Sequence, residues 1–452
     1  MPYAGAVISK ALRLCEPPKS QERRIAAVAE DAKALVDQYV RRKDDVIDVV
    51  FGGSFAKGTW LPGDADVDIF VRIRSSVDIE KFEQLGKEIG IETLKGYNPK
   101  LRYSDHPYVE AFVKKVRVNV VPCYDVEWGK WKSAADRSPF HTQYISSRFD
   151  NQKRQQTRLL KKFFKTLGIY GAEVSIAGFS GYVSEVLVLK YCSFENVLHA
   201  AADWQVRQLI AVGSYDPDFA KEFNSPLIII DPVDSRRNLG TAISPESVGK
   251  FMLAARRFLD RPSLRFFQAN KRLHDASNKL LLPNVLVVEF SHPTKSPDII
   301  WGQLKRSTNS IAKQLELADF TVLRSSCLTD ERDSAALVYL LESITLPPYT
   351  EKRGPDIFRR KDTASFLSKR KKKPLAIWVD KEMRIAMLVD RKFTDARKFV
   401  RSLILNGVEN NGIARDLVVN KLKIYSGSDR RAEGLVQEAV GKVVSTERLI
   451  FR

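Results

Sequence analysis

The chain is 452 residues long and 44% apolar, with 74 basic against 55 acidic residues and a net charge of +19. That apolar fraction suits folded cores in roughly three domains, and the positive excess points to a polyanionic partner, most simply nucleic acid. No apolar run approaches the ~20 residues of a membrane span, and no signal-peptide core opens the chain. Cys15, Cys123, Cys192 and Cys327 show neither paired nor zinc-like spacing, so a soluble cytoplasmic protein with reduced thiols is expected.

The first strong pattern is 20–42, where Ile25, Val28, Ala29, Ala32, Leu35, Val36 and Tyr39 share one helical face. A β-like run through Val46, Val49, Val50 and Phe51 follows and ends in Gly52-Gly53-Ser54. Eleven residues separate Ser54 from a second such run, 66–71. Strand alternation puts Asp66 and Asp68 on one face and turns Val67 and Ile69 inward. Two adjacent carboxylates repel unless a cation sits between them, and hard oxygen ligands of this kind suit Mg²⁺. The Gly-Gly-Ser turn offers backbone N–H groups and a hydroxyl, which suit a phosphate. An isolated Asp-x-Asp is more often a solvated strand edge, and an isolated Gly-Gly-Ser more often a plain turn. Their combination on two strand ends describes a site for Mg²⁺ and a nucleoside triphosphate.

Downstream, 78–90 reads as a helix and 107–124 as a hairpin with arms 109–113 and 116–121 about Lys114-Lys115. On the return arm Val116, Val118 and Val120 face inward, which leaves Arg117, Asn119 and Val121 on the opposite face. From about 138 the pattern is helical: 151–167, a long largely apolar helix over 178–198, and 244–259, with a short strand at 227–230. Past 262 the order is strand 285–290, helix 296–315 and strands 320–323 and 334–341, half of an RRM-like or ferredoxin-like sheet. Strands 375–379 and 384–389 and a helix 395–405 come later. Residues 352–373 hold ten bases and two acids, with Phe358 and Phe366 interleaved. A charge run is usually a solvated face, but one this dense, with Lys369, Arg370, Lys371, Lys372 and Lys373 at its end, reads as a loop that tracks RNA phosphates.

The string Gly53-Ser54-Phe55-Ala56-Lys57-Gly58-Thr59-Trp60-Leu61-Pro62-Gly63, running into Asp66-Val67-Asp68, resembles the archaeal-type (class I) CCA-adding enzymes of the polymerase-β-like nucleotidyltransferase superfamily. Similar matches are Val121-Pro122-Cys123-Tyr124, Pro139-Phe140-His141, Arg158-Leu159-Leu160-Lys161-Lys162, Gly168-Ile169-Tyr170-Gly171-Ala172-Glu173 and Asp231-Pro232-Val233-Asp234 followed by Arg237-Asn238. Asp64 shares the strand face, but the resemblance puts the metal pair at Asp66 and Asp68. It implies an α+β multidomain protein: a polymerase-β-like palm over 1–137, a helical nucleotide- and tRNA-end-binding domain over 138–262, an RRM-like or ferredoxin-like RNA-binding body over 263–390, and a tail over 391–452. The implied activity is template-independent addition of C, C and A to the tRNA 3′ end from CTP and ATP, with Mg²⁺ as cofactor. A homodimer is compatible with it. Gly53, Ser54, Lys57, Lys161 and Tyr170 would hold the nucleotide's phosphates, with His141 close by, and Arg237 would read the incoming base.

One position departs. Where the family carries its third catalytic aspartate, a metal ligand and proton acceptor, this chain has Asn119. An amide oxygen can touch Mg²⁺ but carries no charge and cannot act as base. The site then works slowly with water or triphosphate as base, or the asparagine is an engineered change, or the protein binds without chemistry. Glu110 and Asp125 are the candidate substitutes. A related nucleotidyltransferase making another 3′ tail is the further alternative.

Overall fold

A computed structural model describes residues 2–103, 106–268, 279–368, 374–406, 414, 420–429 and 432–451. Lys369, Arg370, Lys371, Lys372 and Lys373, expected at RNA, lie outside the described residues. The chain forms two compact units, Met1–Leu273 with Glu447–Arg452, and His274–Thr446.

The first unit begins with helices α1 (Pro2–Cys15) and α2 (Lys19–Val40). A palm follows: β1 (Val46–Gly52), α3 (Gly53–Lys57), β2 (Asp66–Arg74), α4 (Ile79–Leu94), β3 (Lys100–Tyr103), β4 (Pro107–Val113) and β5 (Val116–Asp125). Its sheet runs β1-β2-β5-β4-β3, with β2 and β5 parallel and the other pairs antiparallel. The alternation read from the sequence sets the two faces. Val67, Ile69, Val118 and Val120 join Ile25, Val28, Ala32 and Val36 of α2 and Phe82 and Ile89 of α4 in one core. The residues between them, Asp66, Asp68, Arg117 and Asn119, are left on the other face.

Helices α5 (Arg137–Ser146), α6 (Asn151–Thr166), α7 (Gly181–Tyr191) and α8 (Phe194–Ala202) come next, then β6 (Gln208–Ile210), α9 (Pro217–Glu222), β7 (Leu227–Ile229) and α10 (Pro245–Asp260). They enclose a second core rich in phenylalanine, including Phe163, Phe164, Phe179, Phe194, Phe251 and Phe258. The single helix expected over 178–198 is two. Cys192 takes a left-handed conformation (φ 70°) and Ser193 caps α8 by accepting the Asn196 N–H, so the apolar run hides a sharp turn.

The second unit holds β8 (Val285–Ser291), α11 (Pro297–Leu317), β9 (Val322–Thr329), β10 (Ser334–Leu341), β11 (Tyr349–Asp356), α12 (Arg360–Ser368), β12 (Ala376–Val379), β13 (Arg384–Asp390), α13 (Ala396–Asn406), β14 (Asn420–Ser426) and α14 (Gly434–Val444). The main sheet, β14-β8-β10-β9, completes a β-α-β-β-α-β unit rather than half of one. β11, β13 and β12 form a separate small sheet inserted between β10 and α13. The last helix, α15 (Arg448–Phe451), belongs to the first unit, where Lys250 pairs with Glu447 at 2.9 Å. Among the described residues no helix is long and apolar enough to cross a membrane.

Candidate active site

Strand register assembles the acidic end of the palm. On one row lie Gly52 (β1), Asp68 (β2), Asn119 (β5) and Glu110 (β4), each in register with the next. On the neighbouring row Asp66 lies beside Arg117. The Asn119 amide Nδ2 donates to Asp68 Oδ1 at 2.8 Å, while the Asn119 carbonyl Oδ1 is buried with no hydrogen-bond partner. Burial pushes the Asp68 carboxyl above the usual range, the charge of Asp66 adds to this, and the Asn119 bond pulls it back. Gly53 makes this proximity available: its φ is +65°, and a Cβ there would lie 1.9 Å from Asp68 Oδ2.

Asp66 is taken by Arg117, whose Nε donates to Oδ1 at 2.8 Å and whose Nη2 donates to Oδ2. Glu110 accepts from Arg102 Nε at 3.2 Å and Nη2 at 2.9 Å, both through Oε1. Asp125, the other candidate substitute, is six residues along β5 from Asn119, about 20 Å at strand rise, and binds Arg72 instead. Asp64 precedes β2 and pairs with Lys165. Cys123 is buried, which pushes its thiol up, so it is a core residue and not a nucleophile. Among the described residues, no three His, Cys, Asp or Glu gather at metal-binding spacing.

Behind the Gly-Gly-Ser turn lies a buried network that sequence reasoning missed. Glu185, fully buried on α7, accepts from Lys57 Nζ at 2.5 Å, Thr59 Oγ1 at 2.5 Å and Lys161 Nζ at 3.1 Å. Lys161 also donates to Thr59 Oγ1 at 2.9 Å and to the Thr59 carbonyl at 3.2 Å. The two lysines expected at phosphates therefore spend their ammonium groups on Glu185, and only 5% of Lys57 and 1% of Lys161 is exposed. Desolvation would raise Glu185, but the lysines and Thr59 overcome it and hold the carboxyl at about 2. Gly181 lets Tyr170 approach: a Cβ there would lie 3.1 Å from the Tyr170 hydroxyl and 3.3 Å from Lys161 Nζ. A lone glutamate in the apolar run 182–189 was the signal available in the sequence.

The third cluster centres on Asp231. It accepts from Arg237 Nη1 at 3.2 Å, the Tyr182 hydroxyl at 3.1 Å and the Val233 N–H at 2.9 Å, and its Oδ2 is 2.9 Å from His141 Nε2. Burial lowers the His141 pKa against the pull of Asp231, whose carboxylate its Nε2 faces. Tyr182 stacks on His141 with centroids 3.9 Å apart and also lies under Lys57 Nζ at 5.4 Å, so it touches both clusters. Arg237 keeps 41% of its side chain exposed. Arg137 bonds Asp234 at 2.8 Å and braces the same loop.

A palm sheet with paired aspartates beside a Gly-Gly-Ser turn defines a nucleotidyltransferase. Residues 34–141 match the nucleotidyltransferase domain, 155–268 the second domain of tRNA nucleotidyltransferase and 283–427 the C-terminal domain of the CCA-adding enzyme. The chain is 36% identical to the CCA-adding enzyme of Saccharolobus shibatae over 86% of its length and 92% of that relative's. Identity to the CCA-adding enzymes of Pyrobaculum islandicum and Pyrobaculum aerophilum is 36% and 38%, in each case over 78% of this chain and 82% of the relative. The chain belongs to the archaeal-type CCA-adding enzyme family.

Proposed function

We propose that this chain adds C, C and A to the 3′ end of tRNA from CTP and ATP, without a nucleic-acid template and with release of pyrophosphate. The observation that carries the reading is the carboxylate pair of β2 set against the Gly53 turn, in a chain related over most of its length to CCA-adding enzymes. The family depends on a divalent ion, and Mg²⁺ fits these residues. Asp66 and Asp68 supply hard oxygens, and the Asn119 carbonyl is a buried oxygen in want of a partner. When bound, such an ion polarises phosphate oxygens and orients the 3′-hydroxyl.

The remaining steps fall to the protein's own groups. The turn at Gly53 and Ser54 offers N–H groups and a hydroxyl to the β- and γ-phosphates. Lys57 and Lys161 against Glu185 leave one uncancelled positive charge behind that turn, and Tyr170 adds a hydroxyl beside Lys161. This attracts a triphosphate even though neither ammonium faces solvent. Arg237, tethered to Asp231 by one nitrogen, keeps donors for the base acceptors of C and A, and His141 fixes Asp231. Asn119 cannot take the hydroxyl proton, which passes to water or to the triphosphate. The basic segment ending at Lys369–Lys373 follows the acceptor stem by backbone charge and shape.

Extension of a tRNA ending at its discriminator base tests this. CTP alone should add two Cs and stop, and ATP should complete the end. A protein accepting ATP alone would falsify the assignment in favour of another 3′ tail. Asn119 favours a second reading, a tRNA-binding member without catalysis, for which the outcome is nucleotide and tRNA binding with no extension.

A further inference from the structure

We propose that Arg117 is a positioning residue of the centre: it occupies Asp66 until a divalent cation arrives, and Glu110 then receives it. The inference rests on the reading of Asp66 and Asp68 as the metal pair. Arg117 donates to both carboxylate oxygens of Asp66, so this guanidinium competes with an ion for their lone pairs. Two cations about 4 Å apart also repel. Glu110 is the neighbouring carboxylate on the same face. Its Oε2 is 3.9 Å from Arg117 Nη1, and Arg102 bonds to its other oxygen. A shift of about 1 Å brings that separation to hydrogen-bond length. The Glu110 side chain is only 8% exposed, so a second cationic partner offsets the cost of burying its charge.

The arrangement has particular force because of Asn119. With two carboxylates instead of three, Arg117 cancels half the negative charge that would attract a divalent ion. Release of Arg117 to Glu110 restores that charge to Asp66. Glu110 therefore acts through Arg117 and not as a third ligand, in keeping with the absence of a three-carboxylate group among the described residues.

Mn²⁺ binding to the full chain, read by electron paramagnetic resonance of the free ion, tests this independently of turnover. Arg117→Gln should tighten Mn²⁺ roughly fivefold, the size of a partly exposed ion pair, and Glu110→Gln should weaken it by a similar factor. The double variant should match Arg117→Gln alone, because Glu110 has nothing left to receive. Arg117→Lys, which keeps the charge, should stay near the parent affinity and guards against a folding artefact. Unchanged affinity in Arg117→Gln overturns the proposal. So does a Glu110→Gln effect that persists in the Arg117→Gln background, which would make Glu110 a ligand. If the parent binds no Mn²⁺ that Asp68→Ala loses, the carboxylate-metal reading itself fails. If Asp68→Ala loses the ion but Arg117→Gln has no effect, only the role of Arg117 fails.

Discussion

Asn119→Asp is the substitution that interrogates the centre most directly, and it should move two quantities in opposite directions. The change removes the Nδ2 donor that lies 2.8 Å from Asp68 Oδ1 and puts a second carboxylate in its place. A hydrogen bond to a charged group contributes about 1.5–3 kcal/mol, and Asp68 is already pushed up by burial and by Asp66. For a unit of this size each kcal/mol corresponds to about 2–4 °C. In EDTA the variant should therefore melt roughly 3–12 °C below the parent by scanning calorimetry. Added Mg²⁺ or Mn²⁺ should recover most of that loss, because the ion neutralises the new pair. Its rate of CMP addition under single-turnover conditions should rise at least tenfold, since a general base contributes on the order of 10²–10⁴. Equal rates with equal melting in EDTA and in Mg²⁺ would refute the reasoning, for position 119 would then neither face the ion nor take the proton.

Asp68→Ala should abolish nucleotide addition while tRNA retention on a filter persists; retained addition would remove the metal from β2. Glu185→Ala leaves two buried ammoniums without their counter-ion, a loss of about 3–5 kcal/mol, visible as a drop in melting temperature of roughly 6–20 °C. Glu185 has its carboxyl held down to about 2. Its contribution is therefore complete above the unfolded value near 4.5 and disappears as pH falls through about 2; Glu185→Gln should show a smaller difference in stability between pH 6 and pH 3 than the parent. Neutralising Lys369, Arg370, Lys371, Lys372 and Lys373 should weaken tRNA binding and flatten its dependence on log salt, and an unchanged slope would leave that segment as a solubilising face.

The palm was legible because its cause is local. A period-2 pattern in 66–71 and 116–121 dictates which side chains share a face within each strand; the family resemblance grouped Asn119 with Asp66 and Asp68, and the β2–β5 register sets Asn119 beside Asp68. The same rule left Glu110 undecided, since the register between two hairpin arms depends on the turn, and the arm now places it opposite Asn119. Glu185 stood out as a lone charge, but its network was not legible, for a different reason. Its partners Lys57, Thr59 and Lys161 come from 24 to 128 residues away, and no spacing rule reaches that far. The break at Cys192 lies where the largely apolar run turns polar at Lys190, Ser193, Glu195 and Asn196; the apolar residues on either side suit a helix and a helix–turn–helix equally, and Ser193, the cap of α8, was the available signal. In the second unit, the strand that completes the main sheet lies 79 residues beyond β10 (420 − 341), past an inserted three-stranded sheet, so only half the motif could be recognised.

Tyr182 leans one ring face on His141, gives its hydroxyl to Asp231 and lies beneath Lys57. On the proposed assignment of Arg237 to the base and of the Lys57 cluster to the phosphates, discrimination among nucleobases and grip on the triphosphate tail meet at one aromatic side chain. Evolution or an engineer who re-aims Arg237 through that loop will disturb the phosphate end in the same move, so a change in which nucleotide is preferred should arrive together with a change in how tightly any nucleotide is held.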